Sequence, residues 1–374
     1  MKKKYYVVPL LVAGLALKMS PALAESSVTL YGVLDEFVGY QSTKVNGQHT
    51  SQIRPGSNGE MTSRFGLRGV EDLGNGYRAT FDLENGFDPT TGIQQNSYRL
   101  FDRQAWVGLG AAQYGEIRLG RQNSVMFGYS GMMDAFGAAT YGSGLNNFAN
   151  WLARVDHDVA YLSPNISGTQ FELHYSGGGQ TGSLGGNAVY QAGVQTSQGP
   201  VNFAIGYLKA TNATNTVRVQ QLLMGGNVDY GSGKVYLSFF RGNDVISATT
   251  GNALSNPAGK YDTTVGPVGN TPGNYYNTFS LSADYRFNAS LSVGAGVALT
   301  KDSSSLHNDA RQVSAIINYD LSKRTRLYGV VSYLKNRNTA QFKMAGASIT
   351  PGTFLTPDAG ASQTGIQLGI RHIF

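Results

Sequence analysis

The residues that could carry chemistry are few, and their spacing suits no reaction centre. The 374-residue sequence holds five His and no Cys. Without Cys there is no disulfide, no thiol nucleophile and no Cys-ligated zinc or iron–sulfur site. His49, His157, His174, His307 and His372 are scattered, and none has the HExxH spacing of a zinc protease. Asp156-His157-Asp158 is the one compact cluster. On a strand, successive residues point to opposite faces, so it reads as structural or as part of a pore wall. Gly128-Tyr129-Ser130-Gly131 lacks the GxSxG nucleophile elbow. Gly177-Gly178-Gly179 with Gly182 precedes no helical pattern, which argues against a phosphate cradle. No EF-hand spacing is present, and loop carboxylates are read at most as adventitious Ca²⁺ ligands. No cofactor and no catalytic activity are expected.

Charge is informative only once it is located. The formal net charge is +6, from 29 Lys and Arg against 23 Asp and Glu. Four of the basic residues, Lys2, Lys3, Lys4 and Lys18, fall in the first 24 positions. There they flank an apolar run from Tyr5 to Leu17, which is followed by Ala22-Leu23-Ala24. This is the pattern of a secretory signal peptide over 1–24, with cleavage expected after Ala24. The remaining 25 basic and 23 acidic residues leave +2. So small a balance gives no support to a nucleic-acid partner.

The elements that must position any site are strands. Charged residues make up 14% of the chain and Gly numbers 49. That is well below the ~25% charge of soluble domains and roughly twice the usual Gly. No apolar run reaches the ~20 residues of a membrane helix. Period-2 alternation recurs instead. Phe279, Leu281, Ala283, Tyr285 and Phe287 share one face, opposite Ser280, Ser282, Asp284 and Arg286. Leu291, Val293, Ala295, Val297 and Leu299 repeat the pattern, as do Tyr77, Ala79, Phe81 and Leu83.

Sixteen strands are read, near 27–40, 62–72, 77–87, 98–109, 114–121, 155–163, 169–176, 189–197, 200–209, 219–230, 233–242, 275–287, 290–301, 309–320, 323–335 and 364–374. Short connections alternate with long ones at 41–61, 122–154, 243–274 and 336–363, the asymmetry of an outer-membrane barrel. A soluble sandwich would show shorter strands at spacings of ~8–12 residues. In lipid every unpaired backbone group costs several kcal/mol, so the sheet must close on itself. The expected fold is all-β, a 16-stranded antiparallel transmembrane barrel over 25–374. Its polar inner face is expected to be too rich in Arg, Asp, Ser and Thr for a dry core. Tyr77, Phe87, Tyr230, Phe287 and Phe374, near strand ends, suit interfacial girdles. Both termini fall on the periplasmic side. The alternating last strand ends on Phe374, which resembles the terminal aromatic signal read by the outer-membrane insertion machinery.

Several blocks resemble the general porins of Gram-negative bacteria, of the β-proteobacterial type. They are Ser27 to Gly32, Ser63 to Phe87, Arg99 to Gln122 and Gly369 to Phe374. The resemblance runs from 27 to 374 and is densest in the first third. It implies a homotrimer in outer-membrane lipid and lipopolysaccharide, passing small hydrophilic solutes and ions by passive diffusion. It also implies that the third long loop, about 122–154, folds inward and narrows the pore. Residues Arg64, Arg103 and Arg154 match the family's basic cluster on the wall, and Asp134 is the loop's acid. Alternation puts Arg64 and Arg68 inward, opposite Phe65 and Leu67. It would put Arg103 outward with Ala105 and Val107, unless a bulge intervenes. Glu116 and Arg118 are further lumen-facing candidates. Three Arg against one loop acid imply a modest anion preference. Asp35, Asp82, Glu84 and Glu116 would reverse it if they lay at the same level.

Overall fold

Alternating residues become strand almost throughout. The computed structural model describes residues 26–149, 151–177, 185–186, 188–211, 218–243, 275–347 and 354–374. The expected leader 1–24 with its cleavage point, most of the connection after residue 243, and Gly178, Gly179 and Gly182 lie outside them.

The chain runs through β1 (Ser27–Val45), β2 (Gln48–Ser57), β3 (Arg64–Gly74), β4 (Tyr77–Asp88), the short β5 (Ile93–Gln94), β6 (Gln104–Ala111) and β7 (Gly115–Asn123). Two short helices follow, α1 (Val125–Ser130) and α2 (Gly144–Phe148). Then come β8 (Arg154–Leu162), β9 (Thr169–Ser176), β10 (Val189–Gln198), β11 (Val201–Thr211), β12 (Arg218–Asp229) and β13 (Lys234–Gly242). The last five are β14 (Tyr276–Arg286), β15 (Leu291–Asp302), β16 (Ala310–Asp320), β17 (Thr325–Asn336) and β18 (Ser362–Ile373).

Strands β2 and β3 lie end to end along one edge of β1. The first pairs with its Glu36–Val45 half and the second with its Ser27–Val33 half. Strand β5 only flanks the end of β4. The barrel therefore has sixteen antiparallel strands, closed by β1 on β18 from Val33↔Ile373 to Thr43↔Gln363. At this seam Gly32 and Phe374 exchange both backbone hydrogen bonds, at 3.0 and 3.1 Å. The Phe374 ring lies over Gly32, where a Cβ would come within 2.3 Å of Cζ.

Two expected boundaries change. Residues 41–61 are not one long connection. Strand β1 continues to Val45 and turns at Asn46-Gly47, both with positive φ (51° and 77°), the requirement of a type I′ hairpin. Residues 58–63 then leave the sheet. Residues 98–103 are turn rather than strand, and β6 begins only at Gln104.

The outward face is an apolar belt, with Leu109, Leu237, Val297 and Leu368 each more than half exposed. Water would not tolerate so large an apolar band, but lipid does. Aromatic pairs ring the short-turn end at Tyr77–Tyr114, Tyr161–Phe171 and Tyr285–Phe287, and the loop end at Tyr175–Tyr190.

The interior departs from a purely polar wall. The third loop, 124–153, folds inward and packs α1 against Val189, Leu208, Val219, Leu223 and Phe240 of β10–β13. Phe136, Tyr141 and Phe148 of the same loop pack against Ala298, Ile316, Val330 and Leu334. Phe342, Met344 and Phe354, from the connection after β17, complete that second cluster. So part of the inner face is a dry core after all, because two loops supply apolar partners that water would not. The inward polar residues serve those loops as well. The side chains of Gln191, Ser282 and Gln367 accept backbone N–H groups of Val125, Ala135 and Tyr141. Inside a barrel these donors would otherwise go unpaired, at about 1–3 kcal/mol each.

Candidate pore constriction

The sequence-derived arginines come together on one side of the lumen. Arg64 opens β3 and sends Nε to Glu84 Oε2 at 3.0 Å and Nη1 to the Thr62 carbonyl at 2.9 Å. Arg103 donates from Nε to Glu84 Oε1 at 2.5 Å. Its inward direction follows from its place before β6, where strict alternation does not apply. Its backbone N–H still bonds to the Glu84 carbonyl, at 3.1 Å. Arg154, the first residue of β8, lies with its guanidinium 4.7 Å over the Phe127 ring of the third loop. Its charge also acts on Glu84. Thus two guanidinium groups share one carboxylate, with a third nearby, beside the point where the inward loop leaves the wall.

Five further groups belong to this network. Arg99 forms a two-pronged pair with Asp156, at 2.9 and 2.8 Å. Arg121 reaches the same carboxylate at 2.6 Å and the Asp102 carbonyl at 2.5 Å. Tyr31 donates to Asp82 at 2.7 Å and to Glu84 at 3.1 Å. Arg99 and Arg121 were not legible as site residues. The first sits in a turn, and the second in an irregularity at Gly120–Gln122 that breaks alternation. In Asp156-His157-Asp158 the two acids are buried while His157 is exposed, as opposite faces require. Asp158 pairs with His174 at 2.6 Å.

Of the other candidates, Arg68 adjoins the cluster through Tyr31 and the rest make separate contacts. Arg68 stacks 5.1 Å over the inward Tyr31 ring. Glu116 accepts from Thr80, Arg118 and Arg78 at 2.9, 2.8 and 3.3 Å, and Arg118 lies 4.2 Å over Trp106. This group sits near the short turn between β6 and β7. Asp134 does not face the arginines. It is buried inside its own loop, accepting Phe136 and Ala138 amides at 3.0 and 2.7 Å and the Ser143 hydroxyl. Burial pushes its carboxyl above the ordinary pKa, against the pull of those three donors. Asp134 is the only charged residue between positions 124 and 153, so the loop presents no acid to the arginines.

Asp35 is likewise occupied. It accepts amides of Gly59, Glu60 and Met61 at 3.2, 2.8 and 2.7 Å and the Tyr328 hydroxyl at 2.7 Å. That holds residues 58–63 inside the barrel. From there the Gly59 carbonyl accepts Thr140 N–H of the third loop, and Glu60 pairs with Arg326 and Arg371.

A closed sixteen-stranded barrel with an inward loop and a charged inner wall is the geometry of a diffusion channel. The sequence profile of the Gram-negative porin family matches residues 11–339. The chain belongs to the Gram-negative porin family. This porin is 30% identical to an outer membrane porin protein of Bordetella pertussis, over 100% of both chains. Its fold matches the anion-selective porin from Comamonas acidovorans with a TM-score of 0.74 and 26% identity, covering 94% of this chain and 100% of that one. An outer membrane protein of Vibrio cholerae in its trimer form has the same fold at TM-score 0.60 and 13% identity, covering 93% and 99%. The porin thus sits in the outer membrane as a channel for ions and small hydrophilic solutes. Its long loops face outward and its short turns face the periplasm.

Because Asp134 works inside the loop, Asp134→Ala is predicted to disturb gating and leave selectivity alone. Single-channel records should show more frequent closures at an unchanged zero-current potential. A shifted potential would mean that Asp134 faces the pore.

Proposed function

We propose that this porin passes anions in preference to cations, with Arg64, Arg103 and Arg154 setting the preference. The observation that carries the reading is two guanidinium groups on the carboxylate of Glu84 and a third, Arg154, nearby against Phe127 of a loop whose one acid is turned inward. In a narrow, partly dehydrated passage, such a cluster selects ions by its field. Of the acids that could cancel it, Asp35 is held by backbone amides and Glu116 by Arg78 and Arg118, while Asp82 is bridged to Glu84 by Tyr31 and Asp156 is matched by Arg99 and Arg121. The anion-selective character of the Comamonas relative agrees with this reading. The test is the zero-current potential of reconstituted channels in a tenfold KCl gradient. A potential on the chloride side is expected, and one on the potassium side would overturn the proposal.

The porin is further read as a homotrimer. Glu36 lies mid-strand on the outward face of β1, between the exposed Leu34 and Val38. A carboxylate there is unfavourable against lipid, and a neighbouring subunit would cover it. Chemical cross-linking in native membranes should trap a three-subunit species, and a ladder ending at one subunit would refute it.

Phe374 is read as the assembly signal. Removing it deletes the ring over Gly32 and both backbone bonds at the seam. Outer-membrane levels of the truncated chain are predicted to fall roughly tenfold by quantitative blotting, given several kcal/mol per unpaired backbone group. Equal levels would remove the assignment.

A further inference from the structure

One titratable group of the inner wall takes no part in the arginine network. His174 points inward from β9, and its partner on β10 is Gln191, which accepts the Val125 N–H at the start of α1. The ring is buried, and each nitrogen faces a carboxylate. Nδ1 lies 2.6 Å from Asp158 of β8, and Nε2 lies 3.5 Å from Glu172 of β9. Asp158 is fully buried, and its Oδ1 has no hydrogen-bond partner. Glu172 keeps a path to water, with 17% of its side chain exposed. Among the described residues, neither acid pairs with Lys or Arg. Asp156, two residues away on β8, belongs to Arg99 and Arg121, and Arg154 at the head of that strand lies on Phe127. On β7 the inward charges at this level, Arg118 and Glu116, pair with each other at 2.8 Å. Strand β10 holds no charged residue, and the one titratable group of α1 is Tyr129. The Tyr129 ring lies over Gly193, the residue opposite Glu172, and its hydroxyl meets the Glu172 carboxylate.

A ring with a carboxylate at each nitrogen is matched only as the doubly protonated cation, which donates from both. When one proton passes to lumen water, the short Nδ1–H bond to Asp158 persists. The Nε2 lone pair then faces the Glu172 carboxylate, and two acceptors oppose each other. We propose that His174 is a positioning residue of the pore: as the imidazolium it holds Glu172 against Tyr129 and clamps α1 of the third loop to the wall, and loss of the proton releases that helix. Glu172 turns to water, and Tyr129 loses its acceptor. The movement reaches the constriction because Phe127, on the same helix, carries the Arg154 guanidinium. The inference does not depend on which ions the channel prefers, because it concerns how often the pore closes.

The test is single-channel recording of the purified full-length porin in planar bilayers. Symmetric KCl is used, and the pH is stepped from about 6 to about 9, around the range in which histidine titrates. The wild type should be quiet at the acid end. Closures should become roughly tenfold more frequent at the alkaline end, the factor that loss of one hydrogen bond to a charged group corresponds to. H174Q, which cannot become a cation, should close often at every pH. E172Q should be quiet at every pH, because its amide donates to a neutral Nε2 while its carbonyl still accepts from Tyr129. A merely structural histidine would not give these two opposite, flat profiles, and E172Q carries the test should H174Q fail to fold. H307Q, in the external connection between β15 and β16, should keep the wild-type profile. Ring-nitrogen NMR signals of His174, identified by their loss in H174Q, should pass from the cation to the neutral form over the same pH interval as the closures. Wild-type closures that ignore pH, a pH dependence that survives in H174Q or E172Q, or a ring that stays neutral throughout would overturn the proposal.

Discussion

Neutralising Arg64, Arg103 and Arg154 together to Gln should reverse the selectivity of the channel. The three charges outnumber Glu84, and the variant leaves that carboxylate without its arginine partners, joined to Asp82 through Tyr31. Two unit charges about 4 Å apart interact by about 1 kcal/mol even in bulk water, and more strongly near protein. Three such charges therefore correspond to a change of roughly tenfold or more in the chloride-to-potassium permeability ratio. Bi-ionic or gradient potentials measure it directly. Single substitutions should give graded shifts of the same sign. Arg103→Gln should also free Glu84 from its shortest contact, and so shift the potential further than Arg154→Gln. A triple variant with wild-type potentials would show that the narrowest passage lies elsewhere.

Asp35→Ala should loosen the whole interior. Its carboxylate gathers three amides from residues 58–63 and the Tyr328 hydroxyl. Alanine leaves all four donors without an acceptor, at about 1–3 kcal/mol for each that stays buried. The damage would spread, because that segment touches both inward-folded loops and Arg64. The Gly59 carbonyl holds Thr140 of the third loop, the Asn58 carbonyl holds Ala347 after β17, and the Thr62 carbonyl holds Arg64. The heat-induced shift in gel migration should move to lower temperature, and channel currents should become noisy. Asp35→Asn, which keeps one carbonyl acceptor, should fall between the two. Wild-type thermal behaviour in Asp35→Ala would contradict this role.

The barrel was legible because lipid leaves a strong mark. Every spanning strand must present apolar residues at period two, and β9 was placed at 169–176 from that pattern alone. Strand β2 escaped because Gln48–Ser57 reaches beyond the belt and carries hardly any apolar residues. The Asn46-Gly47 pair was the available signal for its hairpin. The dry part of the interior escaped for a different reason. Alternation sorts side chains into two faces but does not say what covers the inner one. Phe342, Met344 and Phe354 in an external connection were the clue that a second loop folds in.

Within the site, Arg64 followed from alternation, whereas Arg103 contradicted it. The contradiction arose from extending a strand over residues 98–103, which are turn. Asp134 was identifiable as the loop's one acid, but its direction depends on Ser143 and two amides of the same loop. Sequence spacing does not encode that geometry. Glu84 was visible as an inward acid on β4, yet its role as the shared partner of the arginines needed the register of three strands.

The central claim is that these arginines line the conducting path. The sequence contains no Cys, so a single introduced thiol is the sole target for a thiol reagent. Arg64→Cys, the most exposed of the charges paired with Glu84, should be modified one channel at a time in a planar bilayer. A negatively charged methanethiosulfonate should lower the conductance in steps and move the zero-current potential toward the potassium side. The positively charged analogue should move it back toward the wild-type value. Conductance and potential unchanged by either reagent, with labelling verified by mass, would contradict the account.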